Sequence, residues 1–218
     1  MELFKEPAKH IERFEALWDQ ISKHYQNYST DLFFEILNEP HGSLKSKIWN
    51  ELLYKAIINI RRNNPYRTLL IDTANWGSIK SLDDLVIPAE GRNIIVSFHY
   101  YLPFKFTHQG VGWIKESDKW IGTKWQNTKG EQKEIQNNFK NAIIWSKKNN
   151  IPINLGEFGV YNKADLESRF LWTKFIAQVA TLNNFSWHYW EFGSGFGIYD
   201  INKKEWNEKL LSALFPIV

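Results

Sequence analysis

Five short runs rich in β-branched and aromatic residues alternate with longer segments of helical periodicity, and this alternation constrains the fold more than any other feature. Strands are expected over 31–38, 68–73, 93–99, 151–156 and 185–190. Helices are expected near 7–27, 44–63, 131–149, 164–183 and 205–214, with a short helix or turn near 79–86. The periodicity is explicit between 44 and 63, where Trp49, Leu52, Leu53, Ala56, Ile57 and Ile60 recur at three-and-four spacing before Asn63-Asn64-Pro65 stops the helix. Ile135, Phe139, Ile143, Ile144 and Trp145 are expected on the buried side of the helix at 131–149. Pro7 suits the first turn of the opening helix. Strands alternating with helices give a parallel sheet covered by helices. No internal repeat, low-complexity segment or interdomain linker interrupts the pattern, so residues 1–218 read as one domain.

Two of the strands end on glutamate. The first runs from Leu32 to Leu37 and closes on Asn38-Glu39-Pro40, and the fourth closes on Gly156-Glu157-Phe158-Gly159. Catalytic groups of a (β/α) barrel sit at the C-terminal ends of its strands. One such glutamate alone reads as a solvated loop residue. Two, on separate strand ends, are the minimum equipment for breaking a glycosidic bond. Side chains alternate along a strand, so Glu35, Leu37 and Glu39 are expected on one face, with Glu35 a paired structural charge. By the same parity His99 and Tyr101 face one way. Trp113, Trp120, Trp125 and His108 fall in a long loop after the third strand and are candidates to line a cleft.

The bulk composition removes several function classes. Hydrophobic content of 43% and charged content of 23% are ordinary for a globular chain. The 11 Trp, 9 Tyr and 15 Phe are not, and aromatic faces suit the C–H faces of pyranose rings. A net charge of +3 with scattered lysines gives no nucleic-acid stripe; Lys147-Lys148 and Lys203-Lys204 read as solvated helix-end or turn residues. There is no cysteine, and the six histidines show no metal-ligand spacing, so no metal or cofactor is expected. No apolar run approaches the ~18 residues of a membrane span, and Met1–His10 lacks the apolar stretch of a signal peptide. The chain as written is expected to be cytoplasmic and to have no membrane partner.

Six stretches, in order, carry a family resemblance: Phe33–Gly42, Ser97–Tyr101, Phe106–Gly110, Leu155–Gly159, Trp187–Phe192 and Gly195–Asp200. From Met1 to Leu214 the chain resembles the C-terminal two-thirds of a glycoside hydrolase family 5 cellulase. The resemblance implies a partial (β/α)8 TIM barrel, an incomplete catalytic domain holding barrel strands four to eight, with the first three strands missing. Met1 then resembles an internal methionine. It further implies that Glu39 is the general acid/base and Glu157 the nucleophile of a retaining double displacement, with the carboxyl groups roughly 5–5.5 Å apart. Asn38 would hydrogen-bond a sugar 2-hydroxyl, Tyr101 would donate to Glu157, His99 would serve substrate or network, and Trp190 would floor the subsite beside the scissile bond. His108 and Trp113 are the further substrate-binding candidates, and Gly156 and Gly159 would leave room for close approach. Full-length relatives are often secreted. The implied substrate is a β-1,4-glucan, or a mannan, and the implied partner is a segment supplying the missing strands. The family also uses an arginine and a histidine from the early strands that this chain lacks. The alternative is therefore a catalytically silent fragment with at most residual glycan binding.

Overall fold

The computed structural model describes residues 2–215. In chain order the helices are α1 (Glu2–Lys5), α2 (Pro7–His24), α3 (Ser46–Asn63), the single turn α4 (Ala74–Gly77), α5 (Phe104–Thr107), α6 (Lys129–Asn149), α7 (Leu166–Leu182) and α8 (Glu208–Leu214). The strands are β1 (Phe34–Glu35), β2 (Leu69–Asp72), β3 (Ile94–His99), β4 (Ile153–Phe158), β5 (Ser186–Tyr189) and the pair β6 (Tyr199–Asp200) and β7 (Glu205–Trp206). The main sheet has the sequential order β1-β2-β3-β4-β5 expected of alternating βα units, the partial-barrel architecture that the family resemblance implied. Two compact units carry it: residues up to Phe98 with Trp145–Ile153, and His99–Ile144 with Asn154 onward.

In the first unit β1 pairs parallel to β2 at Phe34–Leu69, and β2 parallel to β3 at Leu69–Ile94. Val96 N–H donates to the Pro152 carbonyl ahead of β4. The six apolar positions read from α3 are all buried, each a large or small side chain contributing to the layer beneath the strands. Full burial of each large one is worth about 1.5–3 kcal/mol before the entropy of ordering is counted. Pro7 does occupy the first turn of α2, whose face of Phe14 and Trp18 is buried. Trp18 also donates its indole N–H to the Ile36 carbonyl, tying α2 to the end of β1.

Arg67 is the hub of this unit and was invisible in the sequence. Its buried guanidinium donates from Nε to Asn64 Oδ1 at 2.8 Å, from Nη1 to the carbonyls of Ser29 and Leu32 at 2.7 and 2.6 Å, and from Nη2 to those of Tyr25 and Tyr28 at 2.8 and 3.0 Å. It thus joins the exit of α2, the entry to β1 and the entry to β2. Its Cζ lies over the Phe34 ring, 4.8 Å from the centroid. Removing it deletes five hydrogen bonds from one charged group, the one to Asn64 buried and the other four part-buried, each worth on the order of 1 kcal/mol. Arg67→Met should therefore cost at least about 3 kcal/mol and lower the calorimetric midpoint by roughly 6–12 °C. A midpoint within about 2 °C of wild type would contradict this account.

In the second unit Tyr100 N–H donates to the Glu157 carbonyl, and β4 pairs parallel to β5. The register slips between Leu155 and Phe158, which places the irregularity at Gly156-Glu157. Such a slip re-aims a side chain at a strand end. Asp165 caps α7 by accepting the Ser168 N–H at 2.9 Å.

Several expectations are corrected. The first strand is only Phe34–Glu35, not 31–38, because Leu32 and Phe33 lie exposed outside the ladder. Alternation holds through Ile36, with Phe34 and Ile36 buried and Glu35 on the other face, but Glu39 has φ +50° and has left the strand path. In α6 the buried stripe is Ile135, Phe139, Ala142 and Trp145; Ile144 is 53% exposed because it falls about half a turn from the centre of that stripe. The loop after β5 contains the hairpin β6–β7, whose turn is set by Asp200 Oδ1 accepting the Asn202 and Lys203 N–H groups. Those backbone donors hold the Asp200 carboxyl below its usual range. Strand four runs on to Phe158, so Glu157 belongs to the strand rather than to the loop beyond it.

Candidate active site

The first unit contributes Asn38 and Glu39. Beyond β1 the chain turns sharply, and the Glu39 N–H donates to Asp72 Oδ2 at 2.9 Å. Asp72 is the buried last residue of β2, itself fixed where Trp49 donates its indole N–H to the Asp72 carbonyl at 2.9 Å. The backbone that presents Glu39 is therefore set by a neighbouring strand end. His41 Nδ1 lies 2.6 Å from the Glu39 carbonyl. The His41 ring is sandwiched, with Phe4 stacked at 4.1 Å and Trp76 at 3.4 Å.

Trp76 is held in that stack by strained backbone. Asn75, Trp76 and Gly77 all have positive φ, at 56°, 64° and 62°. For a bulky residue such as Trp this costs about 1–3 kcal/mol, which persists only where surrounding contacts enforce it. Here the Trp76 N–H donates to the Pro40 carbonyl at 3.2 Å. The outcome is an indole 57% exposed beside the Asn38-Glu39-Pro40 turn.

The second unit brings two of the other candidates, His99 and Tyr101, to Glu157. The Tyr101 hydroxyl donates to Glu157 Oε2 at 2.9 Å, and His99 Nδ1 lies 3.4 Å from the same oxygen. His99 and Tyr101 reach one carboxylate from one side of the chain, as parity required. Tyr100, between them, points the opposite way into the core, where its hydroxyl accepts a hydrogen bond from Asn138 at 2.9 Å. Burial pushes its pKa up to about 12, against the Asn138 hydrogen bond, so it stays protonated.

His108 is placed behind Tyr101 instead of at an open surface. It is 8% exposed, stacks on Phe104 at 4.1 Å and meets Tyr101 edge-on at 4.9 Å. Its Nδ1 is 2.9 Å from the Thr107 hydroxyl. Trp113 is 67% exposed, edge-on to Tyr161 at 5.9 Å. Trp190 is also open, at 44%. Of the other loop tryptophans, Trp120 packs edge-on to Phe104 and Trp125 is buried against Phe175, so Trp125 is core and not a cleft residue. Gly159 leaves room for close backbone approach, as expected: a Cβ there would lie 2.0 Å from the Trp190 carbonyl oxygen.

Sequence reasoning missed Asp72, His41, Trp76 and Phe196. Asp72 had a usable signal, a carboxylate at the C-terminal end of an apolar strand. His41 and Phe196 lay inside the stretches that carry the family resemblance, but their roles rest on stacking partners distant in the chain, and Trp76 had no signal.

A family model described as Cellulase (glycosyl hydrolase family 5) matches residues 2–195. Endoglucanase H of Acetivibrio thermocellus is 35% identical over 211 residues, which is 94% of this chain but 22% of that protein. Cellodextrinase A of Ruminococcus flavefaciens is 27% identical over 84% of this chain and 54% of its own length. This chain therefore spans only part of such relatives. The Thermotoga maritima endoglucanase Cel5A superposes with a TM-score of 0.96 at 50% identity, covering 98% of this chain and 69% of that one. It has been solved in complexes with cellobiose and with mannotriose. The cellulose synthase subunit Z of Clostridioides difficile superposes with a TM-score of 0.95 at 41% identity, over 99% of this chain and 71% of its own. With a family model covering most of its length, this chain belongs to glycosyl hydrolase family 5, the cellulases.

Proposed function

We propose that this sequence carries the acid/base and the nucleophile of a retaining β-1,4-glucanase. The observation that carries the reading is the setting of Glu157: a strand-end carboxylate at a register slip, taking a hydrogen bond from Tyr101 at 2.9 Å. A donor to the carboxylate favours its ionised form, the form that attacks an anomeric carbon. In this reading Glu39 first protonates the leaving glycosidic oxygen while Glu157 forms a glycosyl ester. Glu39, now ionised, then takes a proton from the water that hydrolyses the ester, and the anomeric configuration is retained. Asn38 addresses the sugar 2-hydroxyl, His99 the substrate or the network around Glu157, and Trp190 and Trp113 offer exposed indole faces to pyranose rings. His108 backs the Tyr101 ring. Trp76, beside Glu39, offers a further face on the leaving-group side.

The substrate class proposed is a β-1,4-glucan, with mannan as the related alternative, since the 50%-identical Thermotoga enzyme has been crystallised with both kinds of sugar. The test is proton NMR of barley β-glucan hydrolysis, on residues 1–218 and on the same residues joined to the first three βα units of that Thermotoga enzyme. The β-anomer of the new reducing end should appear first and mutarotate later. First appearance of the α-anomer would overturn the retaining assignment. Binding of cellotriose by both proteins without turnover by either would favour the other reading, a glycan-binding fragment that lacks chemistry.

A further inference from the structure

Behind the aromatic residues of the second unit lies a buried cation that the proposed chemistry does not use. Arg169, on α7, is 6% exposed. Its Nη2 lies 3.4 Å from the carbonyl oxygens of both Phe196 and Gly197, and its buried Nε makes no hydrogen bond. A buried guanidinium without a counter-ion costs several kcal/mol unless fixed dipoles solvate it. Here carbonyl dipoles do so, and they belong to one loop. The Tyr189 hydroxyl donates to the same Phe196 carbonyl at 2.9 Å. Burial raises the Tyr189 pKa, while the Arg169 charge works the opposite way.

The loop held by this pair delivers the Phe196 ring, only 3% exposed, into the centre of the aromatic group. Phe196 lies edge-on to Tyr101 at 6.0 Å, to His108 at 5.4 Å and to Tyr161 at 5.4 Å, and tilted to Trp113 at 6.4 Å. Asn162 N–H donates to the Gly195 carbonyl at 2.9 Å, and a Cβ on Gly195 would lie 2.2 Å from the Tyr161 ring. The ring is therefore fixed from its backbone, and three of the proposed site residues lean on it.

We propose that Arg169 and Tyr189 are positioning residues. They lock the Phe196 carbonyl so that its ring forms the common backing of Tyr101, His108 and Trp113, and in this way they set glycan affinity. The affinity part rests on the reading of the site given above; the locking part does not. The test is hydrogen exchange by mass spectrometry on wild type, Arg169→Met, Arg169→Lys and Tyr189→Phe, each paired with cellotriose titration calorimetry. Residues 192–198 should exchange about tenfold faster in Arg169→Met and about threefold faster in Tyr189→Phe, with α3 and β2 unchanged. The cellotriose Kd should rise about five- to tenfold in Arg169→Met, and Arg169→Lys should recover part of both effects.

Unchanged exchange in 192–198 would overturn the proposal, as would an equal increase along the whole chain, which marks a merely structural residue. A loosened loop with an unaltered Kd would overturn its affinity part. Should Arg169→Met fail to fold, Tyr189→Phe, which removes a single hydroxyl, decides the matter. Failure of wild type to bind cellotriose would defeat the functional reading, while the exchange measurements would still decide the locking.

Discussion

Glu157→Gln is expected to lower kcat on β-glucan by roughly 10⁴-fold, about 5.5 kcal/mol of transition-state stabilisation, in any form of the protein that turns substrate over. The amide cannot supply the electron pair that bonds the anomeric carbon, while its carbonyl can still accept the Tyr101 hydrogen bond seen at 2.9 Å. Folding and glycan affinity should therefore be close to wild type, which separates this loss from a structural one. A second variant makes the assignment positive. Glu157→Gly with azide and an aryl β-cellobioside of good leaving ability should yield the α-glycosyl azide, because azide enters from the vacated face as the phenolate leaves. Activity of Glu157→Gln within tenfold of wild type, or a β-glycosyl azide from Glu157→Gly, would remove Glu157 from the nucleophile role.

Glu39→Gln should divide substrates by leaving group. For β-glucan, whose leaving alkoxide needs a proton, kcat/KM should fall about 10³-fold, within the range of general acid catalysis. For 2,4-dinitrophenyl β-cellobioside, which departs without acid help, kcat/KM should stay within about tenfold. The same variant should show a burst on the activated substrate, because hydrolysis of the glycosyl ester has lost its base. Azide should relieve that second step and give the β-glycosyl azide. An equal fall on both substrates would mean that Glu39 acts by some route other than proton transfer.

Periodic spacing and strand parity made part of this protein legible. All six buried positions of α3 could be read from three-and-four spacing, and His99 and Tyr101 could be placed on one side because they are two residues apart. Ile144 was misread because apolar character alone was weighed over its angle on α6. The β6–β7 hairpin was missed because a two-residue strand is too short for alternation to register. The contacts that the sequence concealed are those of long separation. Glu39 meets Asp72 across 33 residues and Arg67 meets Tyr25 across 42, while the Tyr101–Glu157 contact, across 56, could be named only through the family resemblance. Neither partner in such a pair carries a local mark of the other. A charged residue such as Arg67 or Arg169 reads as surface until the fold buries it. The glutamates were found early because strand ends of a barrel are a known address, and Asp72, which holds the Glu39 backbone, stood at the same kind of address unread.

The five hydrogen bonds of Arg67 run to four main-chain carbonyls and an amide oxygen, with no carboxylate among them. None of these acceptors titrates in the range where proteins are handled, and a guanidinium keeps its proton throughout it. The junction of α2, β1 and β2 is thus indifferent to acid, unlike a junction built from ion pairs, which dissolves as its carboxylates protonate. Ions in the surrounding medium also have little purchase on it, since the guanidinium is itself buried and its partners carry no net charge. A version of this chain redesigned to stay folded in acid could keep this corner unaltered, leaving the carboxylates elsewhere as the groups to change.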